Sequence, residues 1–142
     1  MTTVAYLTHP IGERDAGFGA DRGDNVAAAS EWFRFLKDTT RWAICCPWFA
    51  YLAAVDSDFY RRYRRSWITD QCEILSRCDV LVLVGGYVSP HMRIEADHAR
   101  NRHAGAIPVL DLIDLGRLAP WRRRDEVGIE IRRRATQLGV EA

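Results

Sequence analysis

The sequence predicts an α/β fold, a parallel sheet covered by helices on both faces. Three observations carry this. Val80 to Val84 is a continuous apolar run closed by Gly85-Gly86, the pattern of a strand buried on both faces. Short apolar runs alternate along the chain with longer segments of helical periodicity, which is the signature of βαβ units. Each early run ends in breaker residues: Thr8-His9-Pro10, then Pro47, then Gly85-Gly86.

Val4 to Leu7 reads as the first strand, followed by Thr8-His9-Pro10-Ile11-Gly12. Glu13 to Asp24 is glycine-rich with few apolar residues. A loop of this length serves either as a lid or binding loop or as a plain connection. Asp24 suits the N-cap of a helix over about Asn25 to Lys37, where Val26, Ala29, Trp32 or Phe33, and Leu36 recur at helical spacing. Trp42 to Cys46 reads as the second strand, ended by Pro47. Strand, helix and strand in that order predict a right-handed unit with parallel strands.

Trp48 to Val55 is aromatic and apolar. It fits either the wall of a pocket for a flat ring, with Trp48 at its head, or core and subunit contact. Phe59 to Arg77 reads as a long helix with Tyr60, Tyr63, Trp67, Ile68, Cys72 and Leu75 on its apolar face. Arg61, Arg62, Arg64 and Arg65 crowd its first half, either as a solvated face or as a phosphate or partner contact. After the central strand, Ser89 reads as an N-cap and Pro90 as the first helical residue. Met92, Ala96, Ala99 and His103 form a narrow stripe on the new helix. Ile107 to Leu110 is a further strand, and Trp121 to Leu138 a last helix carrying Arg122 to Arg124 and Arg132 to Arg134. The order β-α-β-α-β-α-β-α predicts a three-layer sandwich of flavodoxin-like or Rossmann-like type with four to five parallel strands.

Length and composition set the frame. A chain of 142 residues fits one domain over residues 1–142 with a sizeable core. Hydrophobic residues make up 48% and charged residues 27%, the range of globular chains. A net charge of +1 argues against bulk attraction to nucleic acid or anionic membrane. Lys37 is the one lysine among 20 basic residues. Arginine offers a planar fork for phosphate and carboxylate, although a coding bias accounts for the composition equally well. Cys45, Cys46, Cys72 and Cys78 have neither CxxC pairing nor metal-ligand spacing. They read as reduced thiols in a cytoplasmic setting. No signal peptide and no membrane-spanning run is expected. The absence of GxGxxG and GxxxxGK[ST] lowers the case for a dinucleotide enzyme or a P-loop NTPase.

The functional signal lies at the carboxyl end of the central strand. Gly85 and Gly86 allow positive φ or close approach of a ligand to the backbone. Glu95 falls in the second turn of the following helix, beside the small-residue stripe and flanked by His91 and His98. It reads either as a site carboxylate or as an ordinary surface glutamate. Asp70, on the preceding helix, is a second carboxylate that the fold could turn toward the same crevice.

In four places the chain resembles the nucleoside 2-deoxyribosyltransferase-like superfamily, including its nucleoside-monophosphate N-glycosidase branch. These are Tyr6-Leu7-Thr8-His9-Pro10 with Asn25 opening the next helix, Pro47, Asp70 with Cys78-Asp79, and Ser89-Pro90-His91-Met92-Arg93-Ile94-Glu95-Ala96-Asp97-His98-Ala99, which is similar to the family run Ser-x-Gly-x-x-x-Glu-x-x-x-Ala. The resemblance spans about residues 4 to 111. It implies cleavage or transfer at the N-glycosidic bond of a nucleoside or nucleoside 5′-monophosphate. Glu95 is then the nucleophile and Asp70 a protonated acid near the base. The substrate-binding set is then Thr8, His9, Pro10, Gly85, Gly86, Ser89, His91, Arg93 and Trp48, with Ser89 at a 5′-phosphate. His91 stands where the family has glycine and offers that phosphate a cation. The resemblance further implies a homodimer or larger homo-oligomer and no metal or organic cofactor. A non-catalytic nucleotide-binding or interaction protein on the same fold is the alternative.

Overall fold

The computed structural model describes residues 1–11, 22–49 and 57–142, without the side chains of 22–23, 57–61 and 63–65. Four strands form one parallel sheet: β1 (Val4–Thr8), β2 (Ala43–Cys45), β3 (Val80–Leu83) and β4 (Val109–Asp111), in the order β2-β1-β3-β4. This is the expected α/β sandwich, with the first four positions of the flavodoxin-like order. The helices are α1 (Arg22–Thr39), α2 (Ser57–Leu75), α3 (Pro90–Asn101) and α4 (Arg124–Gln137).

Period-two alternation along the strands sorts the core into two layers. Ala5, Leu7, Val80 and Val82 pack with Trp32, Phe35 and Leu36 of α1 and with Val127, Ile131 and Ala135 of α4. Tyr6, Leu81 and Leu83 pack with Leu75 of α2 and with Met92, Ala96 and Ala99 of α3. All four residues of β3 are buried, as its continuous apolar run predicts. Register places Thr8 of β1 opposite Leu83 of β3. The chain leaves β1 toward β2 on one side and reaches β3 on the other. Their carboxyl ends therefore flank the point where strand order reverses, which is where open α/β sheets bind ligands.

Several boundaries differ from the sequence reading. Helix α1 starts at Arg22, so Asp24 lies in its first turn rather than capping it; there the helix dipole still favours its charge. Strand β2 is three residues long and partly exposed at the edge of the sheet, and Cys45 and Cys46 are half-buried. The last helix is preceded by a 3-10 turn over Trp121–Arg123. His103 lies beyond α3 and is exposed, so it is no part of the stripe. Most of the glycine-rich loop and most of the segment from Trp48 to Val55 lie outside the described residues.

All four cysteines are free thiols. Among the described residues no helix is long and apolar enough to cross a membrane. The terminal arginines are largely engaged within the chain. Arg134 grips Asp114 through both guanidinium nitrogens at 2.7 Å and Glu130 at 2.8 Å, while Arg133 binds Glu130 and Arg123 binds Glu126.

Candidate active site

The site is built where α3 leaves the sheet. Gly85 and Gly86 turn the chain after β3 with φ of +105° and +84°, a region that favours glycine. Gly85 is also a contact requirement: a Cβ there would lie 2.6 Å from Pro10 Cδ and 2.8 Å from His9. The two loops at the switch point thus close on each other. Ser89 and Pro90 then start α3 as the sequence predicts.

Helix α3 buries Met92, Glu95, Ala96 and Ala99. Glu95 therefore sits within the sheet-facing stripe, not at its border, and is 2% exposed. Its partners come from β1 and α2. Tyr6 Oη donates to Glu95 Oε1 at 2.8 Å. With the Gln71 amide oriented so that its nitrogen faces the acceptors, Nε2 donates to Tyr6 Oη at 3.1 Å and to Glu95 Oε1 at 3.0 Å, while its oxygen accepts from Trp67 Nε1. Glu95 Oε2 and Thr8 Oγ1 are both buried and lack a partner of good hydrogen-bond geometry, while the Thr8 hydroxyl is close enough to favour the Glu95 anion. One oxygen is firmly held and the other has the threonine hydroxyl as its nearest donor.

Burial dominates the electrostatics. It pushes the Glu95 carboxyl up to about 7, against the Thr8 and Tyr6 hydroxyls, which favour the anion. Near neutral pH the group is then divided between acid and anion, rather than fully ionised as the nucleophile role alone would require. Tyr6 is raised well above the ordinary phenol range by burial and by Glu95, so its hydroxyl stays a donor. Tyr6→Phe is expected to remove one of the groups favouring the anion and to lift the Glu95 midpoint further above 7. A carbon-13 titration of the Glu95 carboxyl reads this directly; a midpoint unchanged from wild type would contradict it.

The remaining expected residues divide. His9 is fully buried, and its Nδ1–H donates to Pro10 O at 2.6 Å. Burial, and then the Arg117 charge, hold it down to about 4 although backbone carbonyls oppose them. His91 is half-buried in the first turn of α3, with Nδ1 2.9 Å from Ser89 Oγ. Burial, then His9, pull it down to about 4. His91 is therefore neutral at pH 7 and is not the cation expected for a phosphate. Ser89 is buried, and Arg93 is exposed on the outer face of α3.

Two expectations are corrected. Asp70 is exposed on α2, and the buried group at that level is Gln71. Trp67, Gln71 and Leu75 recur every four residues as the buried stripe of α2. Asp70 lies about 100° off that stripe, so the burial expected of it is missing. Trp48 is fully buried, its indole donating to Leu7 O at 2.8 Å and packing with Ile11, Ala29 and Trp67. It is core, neither a pocket wall nor a contact surface. Asp79, the second aspartate of the resemblance, accepts from Val4 N at 2.7 Å and so ties down the amino end of β1, far along the strand from Thr8.

A small cavity of about 10 Å³ lies beside Glu95, lined by Trp67, Ile68, Gln71, His91 and Glu95, room for about one water molecule. The Trp67 and His91 rings run nearly parallel, 27° apart with centroids at 6.3 Å. Among the described residues no three His, Cys, Asp or Glu side chains gather as metal ligands. Sequence reasoning missed Gln71 and Trp67 as site residues, although their four-residue spacing with Leu75 was the signal that could have found them.

Fold and site together define a parallel-sheet α/β protein with a buried carboxylate, Glu95, at its topological switch point. No family model, curated protein or solved structure matches the chain.

Proposed function

We propose that this protein cleaves, or transfers across, the N-glycosidic bond of a nucleoside or nucleoside 5′-monophosphate, with Glu95 as nucleophile. The observation that carries the reading is the Glu95 carboxylate itself. Tyr6 and Gln71 hold one oxygen, and the group is buried beside a small cavity lined by Trp67, Ile68, Gln71 and His91. A fixed carboxylate suits capture of an oxocarbenium-like sugar, as in retaining glycosidases. The resemblance of the Ser89–Ala99 run to the glycosidic-bond family supports the same assignment. Water attacking the glycosyl–Glu95 ester gives a hydrolase, and a second base gives a transferase.

Asp70 has no part in this version of the mechanism, because it faces away from the stripe that meets Glu95. Asp70→Asn is expected to leave base release within about threefold of wild type, the range of surface substitutions. A much larger loss would restore it to the site.

The deciding experiment is chromatographic. Wild type and Glu95→Gln are incubated with pooled nucleosides and 5′-monophosphates, with and without a free acceptor base. Base release that disappears in Glu95→Gln supports the reading, and dependence on acceptor separates transferase from hydrolase. Nucleotide binding without release would favour a non-catalytic binding protein.

A further inference from the structure

We propose that Arg117 is an oxyanion-binding residue at the carboxyl ends of the strands, where its guanidinium takes a phosphate or carboxylate group of a ligand. The inference does not depend on the glycosidic-bond reading.

The diglycine turn after β3 fixes the place. On one side Gly85 packs against the segment that follows β1, since an added Cβ would lie 2.8 Å from the His9 ring. On the other, a Cβ at Gly86 would lie 3.0 Å from Arg117 N and 3.2 Å from its Cα. Arg117 follows β4, just after a 3-10 turn over Ile113–Leu115. The connections after β1, β3 and β4 therefore meet where the strand order β2-β1-β3-β4 reverses, the position at which open α/β sheets take ligands. The Arg117 carbonyl accepts from Trp32 Nε1 at 2.9 Å, and Trp32 is fully buried. The backbone carrying the guanidinium is thus anchored to the core, as a binding group that must keep its geometry requires.

The guanidinium itself is unclaimed. Arg117 Nε is buried without a hydrogen-bond partner, and the group makes no ion pair among the described residues. Arg123, Arg133 and Arg134, by contrast, pair with carboxylates of the same chain. Asp114, the acidic residue nearest in the same connection, is held by both guanidinium nitrogens of Arg134 at 2.7 Å. Buried N–H groups are nearly always paired. Nε–H and the Nη–H beside it form a planar fork that matches two oxygens of a phosphate or carboxylate. The histidines nearby do not share the task. His9 and His91 are held down to about 4 by burial and are neutral at pH 7, and the Arg117 charge itself opposes protonation of His9. Arg93 is exposed on the outer face of α3.

The test is a titration followed at the proton–nitrogen resonance of Arg117 Nε, identified by its loss in Arg117→Lys. The probes are inorganic phosphate, ribose 5-phosphate, acetate and ribose. A saturable shift is expected with an oxyanion probe and none with ribose. Response to the two phosphates and not to acetate assigns the site to a phosphate, and the reverse assigns it to a carboxylate. Calorimetry with the responding probe should show binding weakened about 10²-fold in Arg117→Gln, the scale of lost hydrogen bonds to a charged group. Arg117→Lys should recover part of this, since it keeps the charge without the fork. Arg122→Gln, at an exposed arginine, should stay within about threefold of wild type. No saturable shift with any probe overturns the proposal. Equal weakening in Arg122→Gln overturns it in favour of diffuse charge attraction. An Arg117→Gln protein that melts lower yet binds as wild type overturns it in favour of a packing role. The wild-type titration decides the matter even where Arg117→Gln fails to fold. None of these readouts uses turnover, so failure of base release and failure of this proposal are separate results.

Discussion

On the proposed glycosidic chemistry, replacing Glu95 by Gln is expected to abolish base release, and it should make the protein more stable in alkaline solution. The loss should be on the order of 10³-fold or more, because the amide cannot form the glycosyl ester. The gain follows from linkage. Burial holds the Glu95 carboxyl at about 7 in the folded chain, against 4.5 for the free side chain. The folded state therefore binds the proton more tightly than the unfolded state. Stability is greatest below about pH 4.5 and falls as pH rises through 7, where the folded chain must carry a buried anion. At 1.36 kcal/mol per pKa unit, the cost at pH 8.5 and above is about 3 kcal/mol. Glutamine has no such proton. Its oxygen can still accept from Tyr6 and Gln71, and its amide can donate to the Thr8 hydroxyl. Glu95→Gln should melt close to wild type at pH 5 and roughly 10 °C higher at pH 8.5. Equal melting temperatures at both values would show that the carboxyl is not buried as described. A buried carboxylate that costs stability is expected where a site needs a desolvated charge.

The second large effect concerns Gly85. Gly85→Ala is expected to destabilise the fold by about 2–4 kcal/mol, since strain at positive φ adds to overpacking. The new methyl group would meet Pro10 Cδ at 2.6 Å and the His9 ring at 2.8 Å. Both are buried directly after the end of β1, so neither can simply swing away. Gly105→Ala is the control. Its φ is +107°, yet nothing lies within 4 Å of the added Cβ, so it should incur the backbone strain alone, about 1 kcal/mol. Urea melts of the two variants separate contact from conformation. Equal losses would show that the closeness of the two loops is unimportant. In Gly85→Ala the amide signals of Thr8 and His9 should shift as well, because the displaced loop carries the threonine that faces Glu95.

The sequence by itself determined the layering and the glycine turn beside the candidate site. A period of two in the strands and of 3.6 in the helices is written in the order of apolar residues, so the buried run Val80–Leu83, the stripe Met92–Ala99 and the glycine turn were all legible. So was Glu95 as the acidic residue closest to that stripe. Tertiary packing decided which polar groups turn inward. Asp70 and Gln71 are adjacent in sequence, and only the phase of α2 against β1 and α3 sets Gln71 beside Tyr6 and leaves Asp70 in solvent. The charges of His9 and His91 were likewise undecided by residue type, because an imidazole titrates by its surroundings. Burial, supplied by elements distant in sequence, keeps both neutral. Trp48 had the composition of a pocket wall, but the carbonyl of Leu7 and the side chains of Ile11 and Ala29 enclose it. Periodicity is a local property of the chain and can be read in order, whereas desolvation is a sum over neighbours that only the folded structure brings together.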